Sequence, residues 1–155
     1  MPAARRRSIK TSSSSGSQPD RVFTDVVLTI KSEYVVLIRE RRKNHEFRSY
    51  KLRPSVQRLW LYESAPRCAI QYVSTDRGPK VPGELRDPSG VKNDDFDAGL
   101  MTAYAYPVRA LYKLDAPVTR EELNNRFAVK SPQGFCYATR PMVESMPLEG
   151  MEQVF

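Results

Sequence analysis

The sequence predicts an α+β domain: a small curled sheet or barrel of about five to six strands with short helices tucked between them, behind a disordered basic tail. Three observations predict it. Period-two alternation of apolar residues recurs in five separate runs, bounded by turn-forming or capping residues. The helical-period segments are short, and their order is not the strand–helix–strand repetition of a doubly wound sheet. Residues 1–20 are rich in serine and arginine and poor in large apolar groups, so they bury too little surface to offset their ordering entropy.

The elements follow in chain order. The tail carries Arg5, Arg6, Arg7 and Lys10 without an acid; it is a nuclear import signal, a phosphorylated electrostatic arm or an untargeted solvated segment. The domain occupies residues 21–155. Val26, Leu28 and Ile30 alternate with Val27, Thr29 and Lys31, which is a strand. Ser32 is a suitable N-cap with Glu33 in the first turn, and Tyr34, Leu37, Ile38 and Arg41 recur at helical spacing to about Arg42. Alternation returns from His45 to Tyr50, placing Phe47 on one face and Glu46, Arg48 and Tyr50 on the other.

Arg58 to Glu63 and Cys68 to Ser74 are the next strands, joined through Ser64-Ala65-Pro66. The proline- and glycine-rich stretch from Asp76 to Lys92 is long enough to be a functional lid or a tolerated insertion. Asn93 to Leu100 forms a short helix capped by Asn93 or Asp94. Its Asp94-Asp95-x-Asp97 run suits a charged helix start better than a calcium loop, which needs a glycine and a distal glutamate. Ala105 to Leu114 reads as one long strand, with Pro107 marking an edge or a bulge. Thr119-Arg120-Glu121-Glu122 starts a helix. Phe135 to Ala138 is strand or helix, and Met142 to Met146 is one more helical turn.

Charge narrows the function. The 155 residues carry a net +7, and the block from Lys31 to Arg53 holds eight basic residues against three acidic ones. Such a block fits a polyanion such as RNA or another single-stranded nucleic acid, because each phosphate neutralised releases a counterion. An acidic protein partner, or a solvated basic face, fits the same block. Two cysteines, Cys68 and Cys136, and the single His45 are too few for a structural zinc site, and no cofactor is expected. No apolar run approaches the length of a membrane span, and the N-terminus lacks a secretory signal's apolar segment. These features point to an intracellular monomer with reduced thiols, in the nucleus, the cytoplasm or both.

The order of motifs is informative. A strand running into Ile30-Lys31-x-Glu33-Tyr34, a helix, Lys43-x-x-Glu46-x-Arg48, and then Leu61-Tyr62-Glu63-Ser64-Ala65-Pro66 resembles the ASCH (activating signal cointegrator homology) family of the PUA-like superfamily. The match spans about residues 24–75. Ser32 replaces the family's usual proline, Arg41 stands where a glycine often ends the helix, and Asn44 replaces a frequent threonine. The resemblance implies a small β-barrel with a cleft between the first helix and the barrel that binds RNA or a nucleobase. Some bacterial relatives hydrolyse an acylated cytidine with a lysine, a threonine and a glutamate. Lys43 matches that lysine, Glu46 occupies the threonine position, and no matched motif supplies the third residue.

The candidate site therefore comprises Lys31, Lys43, Glu46 and Arg48, to which the resemblance adds Tyr62. Lys31, Lys43 and Arg48 would contact phosphate or base oxygens, arginine through its planar fork and lysine as a point charge. Glu46 would accept from an exocyclic amine or fix Arg48; alternatively the two form a plain ion pair on a solvated sheet. Tyr50, Trp60 or Tyr62 offers a ring for stacking. Were the site hydrolytic, Lys43 and Glu46 would carry it. His45 is one residue from Glu46 and faces the other way.

Overall fold

A computed structural model of the chain describes residues 18–155, so the expected tail lies, but for its last residues, outside the described residues. The elements are β1 (Arg21–Ile30), α1 (Ser32–Arg39), β2 (His45–Arg48), β3 (Arg58–Glu63), β4 (Ala69–Thr75), α2 (Asn93–Asp97), β5 (Tyr104–Pro107), β6 (Ala110–Thr119), α3 (Arg120–Phe127), β7 (Phe135–Thr139), α4 (Arg140–Ser145) and β8 (Glu152–Gln153). Six strands form one mixed sheet in the order β7-β1-β3-β4-β6-β8, and β2 pairs with β5 in a second, two-stranded sheet. β1 and β3 are parallel, from Asp25 opposite Arg58 to Ile30 opposite Glu63; the other pairings are antiparallel.

The α+β class stands, but the ladder is open. β7 and β8 are its two edges, so the expected barrel is not closed by hydrogen bonds among the described residues. The predicted long strand from 105 to 114 is divided. Pro107 ends β5, Val108 donates to the Asn44 carbonyl, and Arg109 donates to Thr75, which turns the chain from the small sheet into the large one. Phe135–Thr139 resolves as a strand and Arg140–Ser145 as a helix.

Alternation along the strands fills both faces of the large sheet. Val26, Leu28 and Ile30 of β1 with Leu59 and Leu61 of β3 face α1, where Val35 and Ile38 meet them. Val27, Trp60, Tyr62, Ile70 and Val73 face the other way, against Leu123 and Phe127 of α3 and Met142 of α4. α3 begins with a full capping box, since Thr119 Oγ1 accepts from Glu122 N–H and Glu122 reaches back to the Thr119 N–H. α1 departs from expectation at both ends. Its N-cap is Lys31, while the Ser32 hydroxyl donates to Glu63 at 2.9 Å. It ends at Arg39, and Arg41 takes φ +62°, the left-handed region that a glycine enters at little cost.

The segment after β4 is built, not loose. Leu85 and Phe96 pack with Phe47 and Ala105 in a third small core, and Lys80 exchanges both backbone hydrogen bonds with Ala105. The Asp97 carboxylate accepts from the N–H groups of Gly83, Leu85 and Arg86. The α2 cap is Lys92 at φ +66°, while Asn93 is buried and donates to Asn44 and to the Asp87 carbonyl. Glycine at position 90 leaves room for the Asn93–Asn44 hydrogen bond, because a Cβ would lie 2.3 Å from Asn44 Oδ1 and Asn93 Nδ2 and displace them. No helix among the described residues is long and apolar enough to cross a membrane.

Asp25 pins the opposite end of the parallel pair. It is fully buried and accepts from Trp60 Nε1 at 2.8 Å, Thr24 Oγ1 at 2.7 Å and an Arg58 terminal nitrogen at 3.2 Å; Arg58 Nε adds an ion-pair contact at 2.9 Å that lacks hydrogen-bond alignment. Asp25→Ala strands the indole N–H and removes the partner of Arg58. We expect it to destabilise the protein by about 3 kcal/mol or more, read from denaturant unfolding as a lower midpoint at unchanged slope.

Candidate functional site

The end of β1, the start of α1, β2 and the segment before β7 enclose a cleft of about 570 Å³, lined by Lys31, Tyr34, Glu46, Arg48, Tyr50, Ser64, Thr102 and Gln133 among others. Its chemistry centres on Glu46. β2 places Glu46 and Arg48 on one face by strand alternation, and Arg48 lies 3.6 Å from Glu46 Oε1. The same oxygen accepts from the Phe47 N–H at 3.3 Å and stands 4.0 Å from Lys43 Nζ. Glu46 Oε2 is buried and has no partner. One carboxylate oxygen is thus contacted by a backbone N–H and two cations, while the other is buried without a hydrogen-bond partner.

The two cations differ in kind. Arg48 is fixed from behind: one terminal nitrogen donates to the Thr29 carbonyl at 2.7 Å and the other to Tyr50 Oη at 3.3 Å. Lys43 is only 4% exposed, with its ammonium 4.5 Å from the Phe47 ring centre and 5.3 Å from that of Tyr34. Burial pulls its pKa below the ordinary lysine value, and the neighbouring Glu46 opposes that shift. The rings and the carboxylate compensate the ammonium for lost water. Burial likewise raises the Tyr50 phenol above its usual value, with Arg48 acting against it.

Of the expected site residues, Lys31, Glu46 and Arg48 line the cleft together. Lys43 stands behind Glu46 and Tyr34, in contact with the site but outside the cleft wall. Tyr62 is not part of it. With Trp60 it packs on the far face of β3, and only 4% of its surface is exposed. The physical reason is period-two alternation: Leu61 points to the α1 side, so Tyr62 points to the α3 side. Trp60 is core for the same reason.

Sequence reasoning missed Tyr34, Thr102 and Gln133. Tyr34 sits inside the quoted motif, and its helical spacing marks it as core. Thr102 and Gln133 come from distant loops that carry no motif, and only the fold brings them here. His45 turns away from Glu46 as expected, with Nδ1 2.7 Å from Asn44 Oδ1. Among the described residues no group of three or more His, Cys, Asp or Glu side chains is placed to hold a metal.

No family model matches the sequence, and no curated protein matches it. Among solved structures, the chain is similar to a crystal structure of an ASCH protein from Zymomonas mobilis and to two of its variants. The parent structure superposes with a TM-score of 0.61 at 16% identity, covering 81% of this chain and 98% of that one. A serine-to-alanine variant gives 0.59 at 18% identity, covering 83% and 99%, and a tyrosine-to-phenylalanine variant 0.62 at 16%, covering 80% and 99%. The chain has the fold of these ASCH structures.

Burial, and secondarily Lys80, lowers the His45 pKa from 6.5 to about 4. A base whose folded pKa is depressed stabilises the fold above its unfolded pKa, and that share of stability is lost as pH falls through 6.5 towards about 4. Thermal unfolding across this range should show wild type losing stability more steeply than a His45→Asn variant. Parallel curves would remove His45 as a cause.

Proposed function

We propose that the cleft binds an unpaired RNA base together with its phosphate. The observation that carries this reading is the convergence of Lys31, Arg48 and Glu46 in the wall of one cleft, where Glu46 Oε2 is a buried acceptor without a donor that a small rotation of the side chain would present to a ligand. Leaving such an acceptor unpaired costs about 1–3 kcal/mol, which a ligand N–H offsets on binding. An exocyclic amine or a ring imino group of a base is a donor of the right kind. Arg48, already oriented by Thr29 and Tyr50, and Lys31 at the rim supply charge for the phosphate. Tyr34 and Tyr50 flank the space with rings.

In this reading Lys43 is a positioning residue. Its enclosed ammonium holds positive charge 4.0 Å from Glu46 Oε1 and so favours the ionised carboxylate at the cleft wall. The place of Lys43 outside the cleft wall favours binding over hydrolysis of an acylated cytidine, because a base activating a cleft water must reach it. Incubation with N4-acetylcytidine should return the nucleoside intact; turnover would replace the binding reading with the hydrolytic one.

Fluorescence anisotropy with a labelled single-stranded RNA tests the cleft. Arg48→Ala should weaken binding by about tenfold or more, the worth of a charge-assisted hydrogen bond. Glu46→Gln should flatten the preference among bases, since an amide presents a donor where the carboxylate presented an acceptor. Affinity should fall linearly on a log–log salt plot, with a slope of about −0.7 per phosphate neutralised. Unchanged affinity in both variants would remove the site.

A further inference from the structure

We propose that single-stranded RNA longer than the cleft's occupant continues along a strip of aromatic rings on the sheet edge, from Tyr50 to Phe23, with Lys51 and Arg53 holding its phosphates. The proposal rests on the cleft reading above and extends it to a second surface. Tyr50 belongs to the cleft. Its ring centre lies 4.6 Å from that of Phe135, Phe135 lies 5.7 Å from Tyr137, and Tyr137 lies 5.2 Å from Phe23. Phe135 and Tyr137 are two apart on edge strand β7, so alternation sets both on one face, the face the cleft opens from.

The strip is incompletely covered. Phe23 is 41% exposed, and Tyr50, Phe135 and Tyr137 are partly so. The Arg53 guanidinium lies 3.7 Å from the Phe23 ring centre and 5.3 Å from that of Tyr137. The Arg53 backbone N–H donates to Tyr137 Oη at 3.3 Å, which fixes the residue over the rings. Among the described residues, no carboxylate comes within 4.0 Å of a Lys51 or Arg53 nitrogen. An exposed ring alone is ordinary surface. Rings in contact, edge to face at Phe135–Tyr137 and Tyr137–Phe23, with the Arg53 cation over one end, have the composition of a single-strand surface on which separate rings take separate bases and cations follow the backbone. At the Phe23 end, the chain leads back to the segment carrying Arg5, Arg6, Arg7 and Lys10 without an acid.

The test uses the full chain with a labelled uridine dinucleotide and a labelled uridine octanucleotide. The octanucleotide should bind at least tenfold more tightly. Phe23→Ala and Arg53→Ala, both at exposed positions, should each remove about tenfold from the octanucleotide and leave the dinucleotide within twofold, in line with the worth of a stacking contact. Arg48→Ala should weaken both ligands. Equal affinity for the two lengths, or strip variants indistinguishable from wild type, overturns the strip while a dinucleotide loss in Arg48→Ala keeps the cleft. Loss in the strip variants without loss in Arg48→Ala keeps the strip and removes the cleft. An octamer of glutamate binding as tightly as the octanucleotide overturns the strip as a nucleic-acid surface.

Discussion

Parallel strands cannot be joined by a tight turn, and β1 lies parallel to β3. The chain between Ile30 and Arg58 must therefore cross over a face of the sheet and return to its starting end. That crossover is α1, the Arg41 turn, β2 and the stretch to residue 57. It is also the block in which basic residues outnumber acidic ones by eight to three. The concentration of charge in sequence and the concavity in space thus share one cause. A hairpin between these strands would leave no segment to carry Lys31, Lys43, Glu46 and Arg48 to one place.

Within the crossover, the electrostatics are uneven by construction. The carboxylate of Glu46 meets two cations and a backbone N–H on one oxygen, and nothing on the other. Taking a carboxylate out of water is costly, and the paired oxygen is what makes its burial tolerable. The unpaired oxygen is the polar atom of the cleft wall that the fold leaves without a donor. Arg48 is held through Thr29 and Tyr50 before any ligand arrives, which lowers the ordering cost of binding.

Much of this was legible in the chain itself, for reasons that can be named. Period-two alternation identified β1, β3 and β4, because both faces of the large sheet are apolar and both leave their mark on the sequence. Alternation also paired Glu46 with Arg48. The same rule, applied to Tyr62, places it away from Glu46's cleft, and a family pattern set against that rule misled. The open sheet was not legible, because closure depends on whether β7 and β8 meet, and their pairing partners lie far away in sequence. Nor were Thr102 and Gln133, which reach the cleft from loops far from the charged block in sequence. The glycine missing at Arg41 was visible, and its backbone still takes the glycine conformation.

Lys43 has a chemical consequence of its own. An amine shut between two rings and a carboxylate, with 4% of its surface exposed, is out of reach of acylating reagents and of modifying enzymes alike. Lysines such as Lys31 and Lys51, which stand in solvent, would be labelled while it stays untouched. Protection of that one amine therefore reports whether the turn between α1 and β2 is intact, independently of whether anything occupies the cleft.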